Sequence, residues 1–144
     1  MPRIDWLLLL LRTADSPTGP LDPIRIQKAL FYVSLDPNVP EHEKYAFEPY
    51  NYGPYSKQIY LDLDDLVARG LVEPILDTSR RWSRYALTLA GASHADELRE
   101  KMSPSWSQLV DATRELVTSL SFPELLRKVY REHPAFAVNS IANV

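Results

Sequence analysis

At 144 residues the chain is long enough to bury a core of its own, and with no cysteine it excludes a disulfide framework, a thiolate metal site and an oxidising compartment as the basis of its stability. Hydrophobic residues at 45% and charged residues at 24% place it among ordinary globular domains and outside the disordered class. Sixteen Lys and Arg against 19 Asp and Glu give a net charge of −3, the wrong sign for a protein that coats nucleic acid indiscriminately, so any DNA binding needs a local basic patch.

The apolar run Trp6 to Leu11 is far shorter than the about 20 residues that span a bilayer, and it lacks the basic flank and small-residue cleavage site of a signal peptide. It reads as a buried helix covering about Ile4 to Ala14 in a cytoplasmic protein, ended by the breaker cluster Asp15 to Pro20. Asp22 before Pro23 is an N-cap with proline at the first helical position, and Ile26, Leu30 and Val33 recur at helical spacing up to about Leu35. Tyr45 and Phe47 alternate as in a short extended segment. Gly53-Pro54 signals a turn, and a third helix is expected from about Tyr55 to Arg69, with Ile59, Leu63 and Leu66 on its buried face and Gly70 at its end.

Residues 71–76 and 82–87 are strand-like runs separated by polar residues 77–81, the pattern of a hairpin. Thr88 caps a fourth helix reaching about Lys101, with Ala92, Ala95 and Leu98 inward. Ser103-Pro104 opens a fifth whose stripe runs from Trp106 to Leu120, and a short last helix spans about Pro123 to Glu132. The fold class is therefore mainly α with a small β-hairpin: a winged helix-turn-helix over residues 1–102, and a helical extension over residues 103–144 packed on the same domain. Its core is expected to combine Leu8, Ile26, Leu30, Ile59, Leu63, Leu66, Leu71, Tyr85 and Leu87.

The segments Ile26-Gln27-Lys28-Ala29-Leu30-Phe31-Tyr32, Tyr52-Gly53-Pro54-Tyr55-Ser56, Ile59-Tyr60-Leu61-Asp62-Leu63 and Gly70-Leu71-Val72 resemble bacterial and phage-associated proteins with the Panacea or SocA-like antitoxin domain, and their YwgA-like relatives. The C-terminal stretch Val129 to Ser140 is similar to the ends of YwgA-like chains, while Ile26 and Ala29 stand where leucines would be expected. The resemblance implies a module that recognises proteins, because SocA-like domains neutralise a partner toxin, in one case by handing it to a protease. It is an analogy at the level of fold.

Two binding readings follow from the residues. Tyrosines at 45, 50, 52, 55 and 60 crowd into sixteen residues, and Tyr50, Tyr52, Tyr55 and Tyr60 are the candidate contacts for a protein partner such as a toxin or defence component, against the plainer reading that they pack the loop onto the domain. Alternatively a winged helix inserts the start of its third helix into duplex DNA and touches backbone with its wing. Here those positions hold Ser56, Lys57 and Gln58, and Arg80, Arg81 and Arg84. Asp62, Asp64 and Asp65 on the same helix oppose that reading and otherwise read as a solvated face. The stripe of the 104–120 helix suits either a homodimer or the chain's own first helix. No nucleophile elbow, P-loop or GxGxxG occurs, and the three histidines lack ligand spacing, so neither an enzyme, a cofactor nor a metal site is expected.

Overall fold

The computed structural model describes residues 1–12, 20–76 and 83–144. Among these it forms six α-helices and two small antiparallel hairpins: α1 (Arg3–Leu10), α2 (Pro23–Ser34), β1 (Glu48–Tyr50), β2 (Gly53–Tyr55), α3 (Lys57–Ala68), β3 (Val72–Ile75), β4 (Arg84–Leu87), α4 (Leu89–Lys101), α5 (Pro104–Ser119) and α6 (Phe122–Glu132). No helix among the described residues is long and apolar enough to cross a membrane.

The centre is α1. Trp6 to Leu11 are each at most 1% exposed, which a helix apolar on every side achieves only when surrounded, and α2, α3, α4 and α5 pack around it. The helix ends at Leu10, short of the expected Ala14, whose own position lies outside the described residues. Of the expected core, Leu8, Ile26, Leu30, Ile59, Leu63, Leu66 and Leu87 are buried, and Leu71 and Tyr85 pack against it half-buried.

Local capping chemistry starts α2, α4, α5 and α6 where the sequence places them. Asp22 accepts from Arg25 N at 2.9 Å, Thr88 from Gly91 N at 3.0 Å and Ser103 from Trp106 N at 3.4 Å, while Ser121 and Glu124 form a reciprocal capping box. The stripe on α5 is taken up within the chain: Val110, Thr113, Arg114 and Val117 are buried against α1 and α2, and the Trp106 ring sits 5.1 Å from that of Trp6. Arg114 Nη1 donates to the Leu10 carbonyl at 3.0 Å, satisfying an orphan group at the end of α1.

The second hairpin, β3 and β4, pairs Val72 with Leu87 through Ile75 with Arg84, as the strand-like runs predict. Leu21, just before α2, exchanges both backbone hydrogen bonds with Tyr85 at 2.9 and 2.8 Å and so adds a one-residue third strand.

The first hairpin corrects the sequence reading. Tyr55 does not open the third helix; it ends β2, and the turn falls at Asn51-Tyr52, two residues ahead of the expected Gly53-Pro54. Gly53 at φ +88° supplies the left-handed conformation that follows this turn. Pro49 and Pro54 oppose one another in the register, with Tyr50 opposite Gly53 and Glu48 opposite Tyr55. Because hydrogen-bonded and non-bonded pairs alternate in an antiparallel ladder, both prolines fall where no ladder N–H is needed.

Candidate functional site

That register leaves the outer edge of β2 with polar groups at Pro54 and Ser56, and two buried side chains of α2 meet them. Gln27 Nε2 donates to Ser56 O at 2.9 Å while Ser56 N donates to Gln27 Oε1 at 2.8 Å, and Lys28 Nζ donates to Pro54 O at 3.0 Å. Side chains thus stand where a third strand would. The opposite side is tied to the C-terminal segment: Asn139 Nδ2 donates to Pro49 O at 3.2 Å and Ile141 N to Asn51 O at 3.0 Å. Replacing Gln27 with the similarly sized leucine strands two buried backbone groups, so Gln27→Leu is expected to cost about 3 kcal/mol in urea unfolding and to speed hydrogen exchange selectively through 48–56.

Clamped this way, the hairpin presents a row of rings. Tyr50 and Tyr55 lie on one face of the ladder with centroids 4.6 Å apart, and Tyr60, one turn into α3, continues the row 6.0 Å from Tyr55. Tyr50 is 47% exposed, while burial raises the Tyr55 hydroxyl and pushes that of Tyr60 up to about 12. Tyr52, expected beside them, turns instead toward α6, where its ring meets Phe122 at 5.6 Å.

Beneath the row lies a cavity of about 160 Å³ lined by the three tyrosines together with Ile24, Gln27, Lys28, Asn51, Tyr52 and Gly53. Lys28 is 2% exposed, and burial pulls its amine down to about 7 from the usual 10.5, partly offset by the charge of Asp22. The packing of α2 explains why it is buried. Nine of the twelve residues of α2 are buried, so the helix has no solvated face to which a lysine at 28 could retreat.

The positions assigned to DNA are not gathered in the same way. Ser56 is 3% exposed, held by its backbone to Gln27, so it does not offer the hydroxyl expected of an exposed first turn. Gln58 Nε2 donates to Asp62 Oδ1 at 2.8 Å, and Lys57 alone of the three stands exposed. Arg84 lies half-buried on β4, while Arg80 and Arg81 lie outside the described residues.

Asp62 is likewise not part of a solvated face. It is 8% exposed and accepts from Tyr45 Oη at 2.6 Å, Gln58 and Arg3 Nε at 3.4 Å, whereas Asp64 and Asp65 face solvent. A carboxylate taking three donors in the interior organises the start of α3. No group of three His, Cys, Asp or Glu among the described residues is arranged to hold a metal. No family model matches the chain, and no curated protein does.

Proposed function

We propose that the chain is a non-enzymatic winged-helix binding module that recognises a protein partner through Tyr50, Tyr55 and Tyr60, in the manner of an antitoxin-like or regulatory domain. The order α1, α2, α3, β3, β4 supports the winged-helix reading, and the pairing of Leu21 with Tyr85 supplies the short extra strand that such wings carry. The observation that carries the function is the row of three tyrosine rings, two on a hairpin fixed from both sides and the third at the start of α3. Rigid aromatic side chains with polar tips give contact area at little entropic cost, which is why they dominate interface hot spots.

The test is a complex with the product of a neighbouring gene, co-expressed and purified with this chain. Tyr55→Ala is expected to weaken that complex by about 30-fold, the equivalent of a ~2 kcal/mol hot spot, while leaving the circular dichroism spectrum unchanged. Lys57, Arg84, Arg80 and Arg81 define the contrary outcome. Should the purified chain shift duplex DNA at moderate salt, and Arg80→Ala with Arg81→Ala lower both the affinity and its salt dependence, the DNA-binding reading replaces this one.

A further inference from the structure

We propose that the cavity over Lys28 receives the carboxylate of an aspartate or glutamate side chain from an acidic segment of the partner protein. This deepens the protein-binding reading at the same site and rests on it. The cavity, at about 160 Å³, is smaller than the roughly 300–1,000 Å³ of most small-molecule sites and has the scale of a single side chain.

Three observations carry the inference. First, the Lys28 ammonium has three donors, of which Pro54 O takes one, and among the described residues no carboxylate lies within ion-pair distance of it. Asp22, whose charge it feels, is engaged by Arg25 Nη1 at 2.6 Å. A buried cation that the fold leaves without a counter-ion is costly unless something supplies one.

Secondly, the hairpin does not depend on this lysine for its position, because Gln27 makes two hydrogen bonds to it and the C-terminal segment two more. Thirdly, Tyr55 is shared with an adjoining open groove of about 470 Å³, where Lys57 stands exposed near Glu48 while Arg3 and Lys44 are paired with Asp62 and Glu41. A chain that leaves the Lys28 cavity across Tyr55 therefore meets the exposed ammonium of Lys57, which favours an acidic segment over an isolated chain end. A carboxylate seated in the cavity accepts the remaining Lys28 protons and restores the charge that burial opposes.

The probe is hexaglutamate, acetylated and amidated at its ends, titrated at low ionic strength into nitrogen-15-labelled protein. Saturable shifts are expected at the amides of Asn51, Gly53 and Tyr55, with none from hexaglutamine. Lys28→Met, checked for cooperative unfolding, is expected to weaken binding about tenfold or more, and Lys57→Ala by a few-fold. In carbon-13-labelled wild type, the Lys28 Cε signal should report a proton held to higher pH with peptide bound, a response that a purely structural lysine does not give. Equal affinity in Lys28→Met, equal binding of hexaglutamine, or no saturation at millimolar peptide overturns the proposal. So does binding confined to a peptide with a free C-terminal carboxylate, which makes the occupant a chain end. The Tyr55→Ala measurement on the partner complex is independent of all of these, so the failure of the carboxylate pocket is distinguishable from failure of the tyrosine surface.

Discussion

Lys28→Met is expected to make the protein more stable, by about 2–3 kcal/mol in urea unfolding near pH 6. Burial lowers the folded-state lysine to about 7 from 10.5, so holding it charged below pH 7 costs roughly 5 kcal/mol at ~1.4 kcal/mol per pH unit. Methionine, similar in length and apolar, removes that cost and forfeits the hydrogen bond to Pro54 O, which returns about 2 kcal/mol. The sign of the pH dependence follows from proton counts. Between about 7 and 10.5 the unfolded lysine keeps a proton that the folded one has released, so wild-type stability rises with pH across that window while the variant's does not.

The gap between the two proteins should therefore close at about pH 9 and reverse by about pH 10. Tyr55 and Tyr60, whose hydroxyls burial raises, act above that range. Tyr60, raised to about 12, contributes stability that is lost as pH rises beyond 10, identically in both proteins. Denaturation curves at pH 6, 8 and 10 decide the matter, and a variant less stable at every pH means that anchoring Pro54 outweighs the burden of the charge. Stability gained together with lost acidic-peptide binding is the pattern of a residue retained for function.

The largest destabilisation is expected from Gly91→Ala, about 4 kcal/mol or more, which for a domain of this size lowers Tm by roughly 10 °C. Alanine ordinarily favours a helix interior over glycine, so the effect runs against propensity. Its Cβ would overlap the Leu71 carbonyl oxygen and lie 2.9 Å from the Leu71 carbonyl carbon. Neither backbone has room to yield. Leu71 N donates to Leu66 O at 3.0 Å and Leu71 O accepts from Thr88 N at 3.1 Å, while Thr88 Oγ1 donates to Gly70 O at 2.7 Å and accepts from Gly91 N. The end of α3, the root of the β3–β4 hairpin and the start of α4 form one knot. Thermal unfolding of Gly91→Ala beside Ser93→Ala, which is exposed on the same helix, isolates the close approach from any general effect of alanine.

The order of the helices, the starts of α2, α4, α5 and α6, and the existence of the second hairpin were legible in the sequence. Those signals are local: Asp22, Thr88, Ser103 and Ser121 each act on a backbone N–H three residues away, and Pro23 and Pro104 suit first turns wherever the chain goes. The crowding of tyrosines at 45, 50, 52, 55 and 60 was also legible, because aromatic residues within a short span are visible without coordinates, but which of them form the row was not. Long-range packing was needed to turn Tyr52 toward Phe122, to bury Asp62 and to pair residues 48–55 as a hairpin ahead of α3. It also brought Gln27 and Lys28 to a strand edge 26 to 29 residues further along the chain. The reason is the range of the forces involved. A cap is satisfied by its neighbours, whereas a buried amide or ammonium takes whatever partner the packed chain delivers, and no spacing in the sequence encodes which one that is.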